Sequence, residues 1–292
     1  MAKPLKGKSI AEQLHEQFDN LTRAERQLAH SILENYPLSG LDSVNNMAES
    51  AAVSMPTVVR MSQKLGFNGV QEFRSALREE LKARISAPTA RPEIWLKSAP
   101  PDHVLNQYME AQISNIEMSI DQIEYETFDE ISKLLADGSH KIFTAGGRIT
   151  RVLADYLYLH LQVIREHVVL VQPAFNAWPH ALLDIEKDDV VVIFDVRRYE
   201  NSLLKFAEMA HEVGGQIILF TDQWQSPISK YAKHCIRGHI TAPAAWVSTA
   251  SLLMLVEALI AATQEFNREQ SQSRVSRLEA MFNRTRFFRK FK

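Results

Sequence analysis

Along the first third of the chain, apolar residues recur at intervals of three and four, the spacing of one helix face. In the remainder, such stretches alternate with short unbroken apolar runs. From Leu21 to Tyr36 the pattern predicts an amphipathic helix with Leu28, Ile32 and Leu33 inward. Thr22 stands at its start with Glu25 three residues on, a pairing in which each side chain caps the other's backbone N–H, and Pro37 lies just past the end. Shorter helices are predicted over 44–51 and 56–65. The second is opened by Pro56, whose missing N–H costs nothing in a first turn, and closed by Gly66. Phe73, Leu77, Leu81 and Ile85 continue at helical spacing.

From Ser86 to Pro101 the chain turns to Ala, Pro, Thr and Ser around one island, Ile94 to Leu96, which reads as a linker. Helical pattern follows over 102–136, 151–161, 201–213 and 249–263. Between these stretches lie β-branched runs at 141–145, 168–171, 190–194 and 216–220. Strands that alternate with helices make a parallel sheet covered on both faces. No internal repeat interrupts this order.

Charge sharpens the division. The net charge of −2 is the sum of 12 Lys and Arg against 10 Asp and Glu over 1–91, 13 against 23 over 92–267, and 8 against 2 over 268–292. Basic ends around an acidic middle fit a nucleic-acid contact at an end. The longest apolar run, Leu252 to Ala262, includes Glu257 and is too short to span a bilayer. No apolar stretch follows Lys3, Lys6 and Lys8 as a secretory signal would require, so a cytoplasmic protein without membrane contact is expected. Cys235 is the single cysteine, which excludes an internal disulfide. The histidine pairs His160 with His167 and His234 with His239 lack the spacing and carboxylates of a metal site, and neither metal nor cofactor is expected.

Two short helices meeting at Val53-Ser54 form a helix-turn-helix pattern, in which the second helix enters the DNA major groove. Thr57, Arg60 and Lys64 are expected on one face of it and Val58, Met61 and Leu65 on another, with no acid between Ser54 and Leu65. Spacing alone leaves a plain helical hairpin with solvated charges equally open. With Gly66-Phe67, Gly69 and Glu72-Phe73 the pattern resembles the N-terminal domain of the RpiR (MurR/RpiR) family of transcription regulators over roughly 10–82. The resemblance implies that Ser54, Thr57, Arg60 and Lys64 contact DNA.

In the second half, Ile142 to Thr150 reads as a strand entering a Gly146-Gly147 turn that opens a helix, a place where backbone amides and the helix dipole favour an anion, although a tight structural turn reads the same way. A second such turn runs from Asp195 to Asn201. With Gly214-Gly215, Thr221-Asp222 and Ser226-Pro227 this half resembles the sugar-isomerase (SIS) domain over roughly 125–265. It departs from that family at the phosphate loop Ser-x-Ser-Gly-x-Thr, where Asp195, Arg197, Arg198 and Glu200 replace the two serines, the glycine and the threonine.

The resemblance implies a fold of α + α/β class: a helix-turn-helix domain over 1–85, a linker over 86–101, a SIS-type αβα sandwich with a parallel sheet over 102–268, and a basic aromatic tail over 269–292. It also implies a regulator whose affinity for a double-stranded operator is set by a small anionic metabolite, a sugar phosphate or carboxylate, and which works as a homodimer or homotetramer. Gly146, Gly147, Arg148, Thr150, Asp195, Arg197, Arg198, Tyr199 and Ser248 are its candidate effector contacts. Arg148 and Arg197 or Arg198 are expected to converge on the anion, Asp195 to orient them, and Thr150 to replace the family's phosphate-binding serine. The arginines pairing with Asp195, Glu200 or a second subunit, and Ser248 serving as a helix cap, remain alternatives. Trp178 to His180 would line a pocket mouth or pack a subunit interface. An isomerase using Glu200 or His180 and an adaptor without a ligand are the competing functions.

Overall fold

The computed structural model describes residues 9–34, 36–85, 104–172 and 177–288. The predicted linker over 86–101 and the last four residues of the basic tail lie outside these. The chain divides into two compact units, 1–90 and 91–292.

Among its described residues the first unit is all helical: α1 (Ile10–Glu16), α2 (Arg23–Glu34), α3 (Val44–Ser50), α4 (Met55–Lys64) and α5 (Val70–Ile85). The Thr22 and Glu25 box forms as the pattern predicts, with Thr22 N donating to Glu25 Oε2 at 2.8 Å and Glu25 N to Thr22 Oγ1 at 3.4 Å. α1 is absent from the predicted elements. It is one short helix capped in the same reciprocal way by Ser9 and Glu12. Leu28, Ile32, Met47, Val58, Met61, Phe73 and Leu77 meet in a single core, each apolar side chain contributing roughly 1.5–3 kcal/mol on burial. Gly66 takes φ +91° where α4 turns toward α5, a conformation that glycine adopts without strain.

The second unit contains α6 (Val104–Ile120), α7 (Tyr125–Ala136), β1 (Ile142–Gly146), α8 (Arg151–Ile164), β2 (Val168–Leu170), α9 (Trp178–Asp184), β3 (Val190–Asp195), α10 (Asn201–Glu212), β4 (Gln216–Asp222), β5 (Ala232–Gly238), α11 (Ala250–Phe266) and α12 (Arg268–Thr285). The five strands are parallel in the order β2-β1-β3-β4-β5. Every residue of β3 is buried, as expected of a central strand covered on both faces. One face, through Phe143, Ala145, Val191, Ile193, Ile217 and Leu219, packs against Leu182 of α9 and Phe206 and Ala210 of α10. The other is covered by α6, α8 and α11. The basic tail is helical through Thr285 and packs on its own unit, where Arg274 Nε donates to Gln162 O at 2.7 Å and its guanidinium pairs with Glu166 at 3.0 Å.

The chain leaves β1 for β2 on one side and returns to β3 on the other. The carboxyl ends of β1 and β3 therefore flank the point where the strand order reverses, the crevice in which parallel sheets of this kind bind ligands.

Candidate functional site

α3 and α4 form the helix-turn-helix. Leu65, Met61 and Val58 turn into the core, and Thr57 goes with them: it is 3% exposed. Its hydroxyl lies 2.9 Å from Ser54 Oγ and accepts from Arg60 at 3.4 Å. The expectation that Thr57 faces outward is thus corrected. A small polar residue enters the inner stripe because its one hydroxyl is satisfied there. Lys64 is exposed but tethered, its ammonium bonded to Glu25 Oε2 at 2.7 Å and to Asn20 O at 2.9 Å. Burial alone would raise the pKa of Glu25, but hydrogen bonds from Lys64 and Thr22 outweigh it and hold the carboxyl below its usual value. Beside the tethered Lys64, the outward face consists of Ser54, Met55, Pro56, Val59, Arg60 and Gln63. Gln63, one turn after Arg60, was legible as the next residue on that face once Thr57 is assigned inward.

In the second unit the turn after β1 is closed by its own chain. A Cβ at Gly146 would lie 2.7–2.8 Å from backbone atoms of Thr150 and Arg151, so only glycine lets α8 start so close to the strand. Thr150, 4% exposed, accepts from Gly147 N at 2.9 Å and donates to Phe194 O at 2.6 Å. Its hydroxyl ties the β1 turn to the end of β3 instead of facing a ligand. Glu200 Oε1 accepts from Arg148 N at 2.6 Å, and a Cβ at Gly147 would meet that same oxygen at 2.6 Å. Neither amide, of 147 or of 148, is left over.

The predicted arginine fork is also corrected. Arg148 lines a cavity of about 240 Å³ together with Gly146, Gly147, Glu200, Ser202, Gln172, Trp178 and Phe206, but Arg197 and Arg198 do not. Arg197 is buried with its guanidinium 3.8 Å from the centre of the Trp224 ring, and Arg198 is exposed. The loop from 195 to 200 is organised by buried acids: Asp222 accepts from Arg197 N at 2.8 Å, Tyr199 Oη at 2.7 Å and Trp224 N at 3.0 Å. Ser248 is buried and its hydroxyl accepts from Ala250 N at 3.3 Å, one residue ahead of Thr249, the N-cap of α11. Asp195, Tyr199 and Ser248 do not line the cavity.

Residues 8–84 match the helix-turn-helix domain of the rpiR family, and residues 135–262 match the SIS domain. The chain belongs to the RpiR family. Among its relatives are the HTH-type transcriptional regulator HexR of Pseudomonas aeruginosa, 23% identical over 78% of each chain, and RpiR of Escherichia coli, 22% identical over 79% of this chain and 76% of that one. The fold is shared with the Vibrio vulnificus NanR protein, solved in complex with ManNAc-6P, at a TM-score of 0.55 and 15% identity over 94% of this chain and 98% of NanR. The sugar isomerase domain of an RpiR transcription factor from Sphaerobacter thermophilus matches at 0.56 and 17% identity over 61% of this chain and 99% of that domain.

In this RpiR-family chain two buried acids, Asp195 and Asp222, stand at the second loop. Burial pushes the Asp195 carboxyl up to about 7, against hydrogen bonds from Ser226 and from Glu200 N, while the charges of Asp222 and Glu200 push the same way as burial. Burial also raises Asp222, opposed by its hydrogen bonds from Arg197 N and Tyr199 and by the Arg197 charge. Cys235, half-buried on the edge strand β5, is pushed up to about 11 by burial and stays a thiol.

Proposed function

We propose that this RpiR-family regulator binds an operator through the outward face of α4 and that a small, sugar-sized metabolite in the cavity at the β1–β3 switch point sets its operator affinity. The carrying observation is the pairing of an rpiR-type recognition helix, with Arg60 and Gln63 exposed, with a SIS sheet that keeps a cavity where such sheets take ligands. The sugar phosphate held by NanR makes sugars and their phosphates the first class to screen. Two copies would present two recognition helices to a palindromic site in the cytoplasm, and the metabolite would change their placement, a coupling typically of about 1–3 kcal/mol.

A catalytic role is less well supported. Glu200, the acid or base an isomerase would use, is committed to Arg148 N, and His180 is exposed and outside the cavity lining. Among the described residues no helix is long and apolar enough to cross a membrane.

The test is fluorescence anisotropy on duplexes from the DNA upstream of the protein's own gene. Arg60→Ala with Gln63→Ala is expected to weaken binding by about tenfold or more and to flatten its salt dependence. Unchanged affinity and salt response would remove α4 from the interface. Adding sugars and sugar phosphates to the wild-type complex tests the sensing half, since some member must shift the binding curve.

A further inference from the structure

In an anion-binding βα turn, the amides after the first strand are left for the ligand. Here Gly147 N is taken by Thr150 and Arg148 N by Glu200. The lack of a side chain at Gly147, which in such turns admits a phosphate, admits the protein's own carboxylate: a methyl group there would lie 2.6 Å from Glu200 Oε1 and 2.9 Å from its Cδ. Glu200 lines the cavity, whereas the other loop acids, Asp195 and Asp222, are buried behind it. Of the loop's two arginines, Arg197 is turned onto Trp224 and Arg198 is outside the cavity lining, while Arg148, which lines the cavity, has its guanidinium 5.7 Å from the centre of the Trp246 ring.

We propose that Glu200 is a built-in substitute for a ligand's phosphate and acts as the specificity-determining residue of this SIS domain. It fills the anion position of the β1 turn and leaves the cavity to an uncharged or amine-bearing sugar-like molecule. The inference rests on the reading of the cavity as the ligand site. A phosphate brought to this turn would meet the Glu200 carboxylate, with the amides of Gly147 and Arg148 already taken. A hydroxyl or ammonium would meet an acceptor. Like-charge exclusion of this kind discriminates by penalising the wrong ligand instead of adding contacts to the right one.

The experiment is titration calorimetry of the full-length protein, its Glu200→Thr variant and its Glu200→Gln variant with inorganic phosphate, glucose 6-phosphate, glucose and glucosamine. Glu200→Thr exchanges the carboxylate for a hydroxyl and is expected to bind phosphate and glucose 6-phosphate at least about tenfold more tightly than wild type. Glu200→Gln keeps the acceptor for Arg148 N without the charge and is expected to gain less. It also decides the matter should the threonine variant fold poorly, as read from its melting temperature. Equal phosphate affinity in wild type and both variants, whether measurable or absent throughout, overturns the proposal. Operator anisotropy on the same three proteins keeps the two readings apart. Loss of DNA binding by wild type defeats the regulator reading, whereas unchanged phosphate selectivity with intact DNA binding defeats only the role of Glu200.

Discussion

Asp195 closes β3 at 2% exposure, and its carboxyl is pushed from 3.8 up to about 7, chiefly by burial. An acid whose folded pKa lies above its unfolded one holds a proton that the unfolded chain releases. Stability therefore falls as pH rises from about 4 and levels off above about 7. Three pH units at roughly 1.36 kcal/mol each give about 4 kcal/mol in total, of which about 2–3 kcal/mol falls between pH 5 and 8. Asp195→Asn keeps the shape, keeps an oxygen for the Ser226 hydroxyl and never ionises. The variant is expected to match wild type closely at pH 5 and to exceed it by about 2–3 kcal/mol at pH 8, or about 5–10 °C in the melting temperature of the C-terminal unit. Calorimetry at pH 5, 6, 7 and 8, following that unit's transition, measures the difference. Asp222 is present in both proteins and largely cancels. Melting curves for the two proteins that run parallel across this range would refute a buried, proton-holding Asp195.

Two further expectations follow from close contacts in the same fold. Gly146→Ala drives a methyl group into the backbone of Thr150 and Arg151, which cannot yield, whereas Gly147→Ala meets the movable end of Glu200. Urea denaturation should show the first costing about 3 kcal/mol or more and the second nearer 1 kcal/mol, and equal costs would mean the Glu200 side chain is as fixed as backbone. Thr57→Val removes a buried hydroxyl that partners Ser54 and Arg60. It should lower stability by about 0.5–1.5 kcal/mol while leaving operator affinity within about twofold, so a large loss of DNA binding without loss of stability would return Thr57 to the outward face.

The periodicity of apolar residues by itself determined α2 through α5 and four of the five strands, because burial of one helix stripe or of a whole strand leaves a repeat in the sequence, while the glycine pair marked the turn after β1. The Thr22 and Glu25 box was readable for a similar local reason, since its partners are three residues apart. Where the pattern is silent, it is because tertiary position replaces periodicity. β5, Ala232–Gly238, is a half-buried edge strand whose Lys233, His234 and Arg237 break any apolar run, and only pairing with β4 makes it a strand. Thr57 read as outward because it is polar, and its burial depends on two hydroxyl partners that spacing does not reveal. The arginines of the second loop read as anion ligands because guanidinium suits that task. Trp224 and Asp222, brought alongside by β4, decided where Arg197 points, and a carboxylate 52 residues away from Arg148 in sequence decided what occupies its amide. Local sequence carries the partners a residue meets within a turn or two of chain, and the charge balance of a pocket built from the ends of different strands exists only once the sheet has assembled them.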